Sequence, residues 1–217
     1  MTRVVPPGHV QALLFDLGGV LINIDFNRAF EHWQTFSGLS LDDIRSKFGF
    51  DEAYEQHERG EIGADAYFGH LVRQLELQPD HAAIALGWNA IFTGEIPETL
   101  ALVRAARAHL PCYAFSNSNA VHQAAWSGLY PDVVQAFDRI FVSSEIGLRK
   151  PEQRAFEHIA GTVGLPVNAL LFFDDLADNV AGARAAGLQA VHVRSPADVR
   201  AALAALGCAL PPPSAPA

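Results

Sequence analysis

The sequence predicts an α/β protein: a Rossmann-like parallel sheet core interrupted, after its first strand, by an all-helical insert. Three observations carry that reading. Apolar runs of about four residues, bounded by polar or turn residues, recur as candidates for strands buried on both faces. From Pro97 onward such runs alternate with helical segments, which implies right-handed crossovers and a sheet covered on both sides. Between the first run and the next, residues 25–92 have helical character and no convincing strand pattern.

Taken in order, Ala12-Leu13-Leu14-Phe15 opens the core and stops at Asp16. In the insert, Asp25 is a candidate N-cap, with Phe26, Phe30 and Trp33 on one face at i, i+4 and i+7. A helix over 40–48 opens with Ser40 and carries Asp43 three residues later, an approximate capping box. Two more helices read over 64–77 and 79–92. The core then resumes with a helix over 97–109, a strand over 112–116 and helices through 119–135. A strand over 139–143, a helix over 151–163 and a strand over 169–173 follow. A helix over 178–186, a strand over 189–193 and a helix over 196–206 complete it. The resulting division is a discontinuous core of 1–23 and 97–217 around an insert of 24–96. Segments 2–8 and 211–217 read as frayed tails, with 209–217 expected to be disordered, because proline cannot continue a helix and little apolar surface is available.

Composition narrows the function. Half the residues are hydrophobic and 18% are charged, as a packed core requires. A formal net charge of −9, without a Lys/Arg cluster, argues against tracking a nucleic-acid backbone. An acidic protein that handles an anion needs local compensation from a metal ion, a few placed cations or backbone N–H groups. Cys112 and Cys208 are too few for a disulfide framework or a thiolate metal site. Residues 1–11 lack the apolar core of a signal peptide, and no segment approaches the ~20 apolar residues that span a bilayer. The expectation is a cytoplasmic protein with no membrane partner; its oligomeric state is open.

Three core runs end at residues able to do chemistry: Asp16, Ser116 and the pair Asp174-Asp175. Ligands bind beyond the carboxyl ends of parallel strands, so adjacent strands would bring these residues to one edge. Asp16 precedes Leu17-Gly18-Gly19, where the glycines allow a sharp turn; its carboxylate could be nucleophile, metal ligand or turn cap. Ser116 and Asn117 lie between strand and helix, suited to hold anionic oxygens or to cap the helix. Lys150, before Pro151, could join them or stand in solvent. Two adjacent acids, Asp174 and Asp175, after four apolar residues repel each other unless a cation is near, and oxygen ligands of this kind suit Mg²⁺. Asp178 and Asn179 could order that shell, Asp178 being alternatively an ordinary N-cap.

Read together, Asp16-Leu17-Gly18-Gly19-Val20, Ser116-Asn117, Lys150-Pro151 and Asp174-Asp175 with Asn179 resemble, in order, the four motifs of the haloacid dehalogenase superfamily, mostly phosphatases, in its subclass with a helical C1 cap. Asn23-Ile24-Asp25-Phe26-Asn27-Arg28 and His57-Glu58-Arg59-Gly60-Glu61-Ile62 are further similar to the bacterial α-D-glucose-1-phosphate phosphatase group. The resemblance implies that Asp16 attacks phosphorus to give an aspartyl-phosphate. It implies that Ser116, Asn117 and Lys150 hold the phosphate ester. Mg²⁺ would be bound by Asp16, Asp175 and the Gly18 carbonyl, with Asp174 orienting the shell.

One departure bears on the substrate. Most phosphatases of this superfamily carry a second aspartate where this chain has Gly18. Losing a positioned acid–base group costs about 10²–10⁴-fold, or roughly 3–5 kcal/mol. Asp25, His57 and Glu58 are candidate substitutes; an acidic leaving group such as an anomeric sugar oxygen would need less help. The expected substrates are therefore sugar phosphates such as glucose 1-phosphate. The alternatives are a metal-independent 2-haloacid dehalogenase and a weakened phosphate-ester-binding or regulatory protein. Specificity is expected in the insert, with His57, Glu58 and Arg59 either lining the pocket or exposed, and with Trp33 and Trp88 packing its core.

Overall fold

The computed structural model describes residues 10–78 and 80–212. The expected tail at 2–8 and most of the C-terminal one, 213–217, lie outside these residues. The first apolar run forms β1 (Ala12–Phe15), buried along its whole length. A short strand β2 (Ile22–Ile24) follows. Five helices come next: α1 (Asn27–Gln34), α2 (Leu41–Lys47), α3 (Glu52–Glu58), α4 (Ala64–Gln74) and α5 (His81–Asn89). Strand β3 (Phe92–Glu95) and helix α6 (Pro97–Ala106) lead to β4 (Cys112–Ser116), α7 (Ala120–Leu129), α8 (Pro131–Gln135) and β5 (Arg139–Val142). The chain continues through α9 (Ser143–Ile146), α10 (Gln153–Val163), β6 (Leu170–Asp174), α11 (Ala177–Ala185), β7 (Gln189–His192) and α12 (Pro196–Ala205).

Five strands form one parallel sheet in the order β5-β4-β1-β6-β7. Side chains alternate across it, so Leu13, Phe15, Leu171 and Phe173 enter one core cluster while Ala12, Leu14, Leu170 and Phe172 enter the other. Helices α6 and α12 bring Leu100, Val103, Val199 and Leu203 to the first face; α10 and α11 bring Phe156, Ile159 and Ala183 to the second. Register then fixes the site: Phe15 pairs with Phe173 on one side and Ala114 on the other, so the next residue, Asp16, stands level with Asp174 and Phe115. The chain leaves β1 toward β4 and leaves β6 toward β7, which opens a crevice between β1 and β6.

The insert has its own core. Trp33 and Trp88 are fully buried and stacked at 6.1 Å between centroids, and Trp33 Nε1 donates to the Ile84 carbonyl at 3.1 Å. Gly87 permits this approach of α1 and α5: a Cβ there would meet Trp33 Cδ1 at 2.6 Å. The capping box of α2 forms, with Asp43 N–H donating to Ser40 Oγ at 3.2 Å and Ser40 N–H to Asp43 Oδ2 at 3.4 Å.

Three local expectations are corrected. Residues 22–24 and 92–95, the latter overlapping the expected helix end, form an antiparallel ribbon pairing Ile22 with Glu95 and Ile24 with Phe92. Strands of three and four residues are too short to show alternation, and their partner lies far along the chain. Asp25 precedes the α1 cap position, held by Phe26, and its Oδ1 accepts from the Asn27 N–H and Nδ2 at 3.0 Å each. Asp178 lies inside the first turn of α11, after the cap position at Leu176. Among the described residues no helix is long and apolar enough to cross a membrane.

Candidate active site

Beyond the carboxyl ends of β1, β4 and β6 lies a cavity of about 560 Å³, lined from the core by Asp16, Ser116, Lys150 and Asp175 and from the insert by Tyr54 and Glu58. Lys150 is its organising charge. The ammonium is 1% exposed and spends all three donors, on Asp16 Oδ1 at 2.8 Å, Asp174 Oδ2 at 2.8 Å and the Phe115 carbonyl at 3.0 Å. Burial by itself would lower its pKa, but the Asp16 and Asp174 carboxylates more than reverse this and keep it protonated. Asn117 clamps the lysine's backbone: its Nδ2 donates to the Lys150 carbonyl at 2.9 Å and its Oδ1 accepts the Lys150 N–H at 2.8 Å. Gly182 backs the same loop, since a Cβ there would meet Pro151 Cβ at 2.7 Å.

The carboxylates differ in what they leave free. Asp174 is fully buried and absent from the cavity lining; Oδ1 accepts from Leu176 N–H at 2.8 Å, Oδ2 from Lys150, and Asn179 Nδ2 reaches both oxygens at 3.1 Å. Asp16 is oriented by the Leu17 N–H at 2.7 Å and by Lys150. Asp175 lies against Gly19, whose φ of +69° and missing Cβ make the approach possible; a Cβ would meet the Asp175 Cγ at 2.5 Å. Hydrogen bonds in this loop run to the Leu17 and Ile22 carbonyls, and among the described residues none runs to the Gly18 carbonyl.

Ligand oxygens of Asp16, Asp174 and Asp175 all lie within 4.8 Å of one another. Like charges that close repel by on the order of 3 kcal/mol per pair at an effective dielectric of about 20, and one lysine cannot balance three carboxylates. Burial pushes the Asp16 carboxyl well above the usual carboxylate range, Lys150 only partly offsetting it, and Asp174 adds to the rise. Burial and then the charge of Asp174 raise Asp175 as well. Three hard carboxylate oxygens, without thiolate or imidazole among them, fit Mg²⁺.

Of the residues expected in the insert, only Glu58 lines the cavity. Its Oε2 accepts from Arg149 Nε at 2.9 Å and from a second guanidinium nitrogen at 2.8 Å. His57 is buried against Tyr67, the rings 4.6 Å apart, and Arg59 joins surface pairs with Glu52, Glu55 and Glu61. Sequence reasoning missed Arg149, adjacent to Lys150, which joins the core loop to α3 through Glu55 and Glu58. It also missed Phe26, Phe50 and Tyr54 as cavity walls. Their only sequence signal was the aromatic density of the insert.

His122, another cavity residue missed in the sequence, sets an acid limit on stability. Its ring stacks on Trp88 at 4.3 Å and its Nε2–H donates to the Trp88 carbonyl at 3.0 Å; burial pushes its pKa down to about 3. An unfolded histidine titrates near 6.5, so above that pH the group has no effect on stability. Between about 6.5 and 3 only the unfolded chain binds the proton, and stability falls by about 1.4 kcal/mol per pH unit. Urea unfolding of the wild type should therefore lose about 2.5 kcal/mol more between pH 7 and pH 4.5 than His122→Gln does. Equal losses would exonerate the imidazole.

A parallel sheet bearing an acid cluster and a buried lysine at its carboxyl edge defines an α/β enzyme. The sequence matches the haloacid dehalogenase-like hydrolase family over residues 10–187, and the chain belongs to that family. It is 30% identical over 193 residues to Phosphatase MT3486 of Mycobacterium tuberculosis, covering 85% of this chain and 87% of the relative. It is 27% identical over 188 residues to the sesquiterpene phosphatase astK of Aspergillus oryzae, covering 84% and 89%. Among solved structures, a wild-type HAD family enzyme of Bacteroides thetaiotaomicron, in complex with magnesium and inorganic phosphate, superimposes with a TM-score of 0.73 at 26% identity, covering 83% and 92%.

Proposed function

We propose that the protein is a Mg²⁺-dependent phosphatase of small phosphate monoesters that works through an aspartyl-phosphate on Asp16. The convergence of three carboxylates with the Lys150 ammonium carries this reading. The likeness to phosphatase-named relatives supports it. Asp16, Asp175 and the Gly18 carbonyl would hold Mg²⁺, which when bound neutralises and orients the phosphoryl group. An Asp16 oxygen bonds to phosphorus while the bond from phosphorus to the alcohol oxygen breaks, and the alkoxide takes a proton from water. A second water then bonds to phosphorus and gives a proton to the hydroxide left by the first, the bond to Asp16 breaks, and phosphate leaves with the carboxylate restored. Ser116 holds a phosphoryl oxygen, and Lys150 holds another by exchanging one of its protein partners for the substrate, while Asn117 holds Lys150 in place and Asp174 aims its ammonium. This is catalysis by positioning and charge neutralisation. The helical insert closes over the site as a cap and excludes water.

Gly18 supplies no acid for the departing oxygen, and Glu58 is committed to Arg149. Leaving groups that are themselves acidic are thus favoured, the anomeric oxygen of sugar 1-phosphates among them. Two unpaired thiols, Cys112 and Cys208, support a reducing, cytoplasmic setting.

Turnover of glucose 1-phosphate and glucose 6-phosphate, each with Mg²⁺ and with EDTA, tests both parts. Chelation should abolish hydrolysis and added Mg²⁺ restore it, with kcat/KM at least about tenfold higher for the 1-phosphate. Hydrolysis indifferent to EDTA would remove the metal phosphatase and favour metal-free dehalogenase chemistry. Equal rates on the two esters would remove the leaving-group argument.

A further inference from the structure

Resting on the phosphatase reading, we propose that the alcohol half of the preferred substrate is apolar and carries a ring. The cavity beyond its phosphoryl floor presents hydrocarbon, and its polar side chains, apart from Asp178 at the exposed rim, are already engaged.

The ribbon contributes Ile22, Ile24 and Phe92 to the lining, and Ile91, just before Phe92, lines it too. The insert contributes Phe26, Phe50 and Tyr54 as an edge-to-face array, with Phe26 and Phe50 centroids 5.5 Å apart and Phe50 and Tyr54 centroids 4.9 Å apart. Phe50 and Leu176 also line the cavity and are 62% and 56% exposed, one from the insert and one from the core. Large apolar side chains stand in water at little benefit to folding, and at the edge of a cavity they mark a surface that a ligand covers.

Most charged and polar groups in the same lining have partners. Glu58 takes two bonds from Arg149, and the third guanidinium nitrogen pairs with Glu55 at 3.0 Å. His122 donates to the Trp88 carbonyl, and Trp126 Nε1 is directed at Ser118 Oγ at 3.4 Å. The remaining carboxylate, Asp178, stands exposed at the start of α11. A sugar ring placed among these groups would lose its hydroxyl–water bonds without replacements, whereas a hydrocarbon ring would lose only unfavourable hydration. This preference acts on the body of the alcohol and adds to the leaving-group effect of Gly18.

Benzyl phosphate and glucose 6-phosphate separate the two effects, because both release a primary alcohol. With Mg²⁺ present, kcat/KM should be at least tenfold higher for benzyl phosphate, and Phe50→Ser should reduce that ratio by threefold or more. A glucose 6-phosphate value equal or higher would overturn the proposal. Binding supplies a readout without turnover: by calorimetry, Asp16→Asn protein should bind benzyl phosphate at least tenfold more tightly than glucose 6-phosphate. If neither ester is hydrolysed but the binding preference holds, the phosphatase reading fails and the apolar subsite stands. If both are hydrolysed efficiently without preference in either measurement, the subsite fails and the phosphatase reading stands.

Discussion

Lys150→Met is expected to slow phosphate-ester hydrolysis severely and to cost the fold about 3–5 kcal/mol. Methionine matches the lysine stem in length and leaves the apolar contacts in place, so the loss isolates the ammonium. That group alone bridges Asp16, Asp174 and the Phe115 carbonyl. Without it, two carboxylates that are 8% and 0% exposed face each other with no cation between them. Breaking a buried pair from one side is far more costly than losing a surface bridge, because the remaining charge stays desolvated. For a chain of this size, thermal unfolding should drop by roughly 10 °C. A melting point within about 2 °C of the wild type would show that water or proton uptake compensates the carboxylates, and that the ammonium is not the organising charge.

Asp16→Asn should have the largest effect on rate, lowering kcat by on the order of 10⁴-fold or more, with the stability effect of opposite sign to that of Lys150→Met. An amide cannot form the acyl-phosphate bond. It also removes one of three clustered charges, and burial already disfavours the ionised Asp16. The melting temperature should therefore stay level or rise, as at sites where function holds like charges together against folding. Residual hydrolysis by the variant within tenfold of the wild type would assign the activity to another group or to contamination. A fall in stability comparable with that of Lys150→Met would show that the Lys150–Asp16 pair outweighs the repulsion.

Much of the core was legible because its signals are local. Leu170-Leu171-Phe172-Phe173 is apolar at every position because helices cover both faces of β6, and a strand with two buried faces cannot alternate. Its abrupt end at Asp174-Asp175 marked the edge where the acids gather for the same reason: charge is tolerated only where the sheet stops. The ribbon of β2 and β3 escaped notice because Ile24 and Phe92 become strand partners only when the insert returns the chain to its starting point. Asp174 and Asp175 are neighbours in sequence, yet one is consumed by Lys150 and Asn179 and the other faces the cavity. Only the alternation of the strand's pleat and the turn into α11 separates their roles.

By itself the sequence determined the parallel core, the order of the acid, hydroxyl and lysine along it, and the presence of a helical insert, since strand burial, turn glycines and helix periodicity are written in short stretches. Tertiary structure alone decided which polar groups remain free. Arg149 turns from an ordinary loop cation into the partner of Glu55 and Glu58, and Phe50 from a loop residue into a cavity wall, only when α3 is brought over the sheet edge. Hydrogen-bond satisfaction and desolvation depend on every neighbour within a few ångströms, and most of those neighbours here are tens of residues away along the chain.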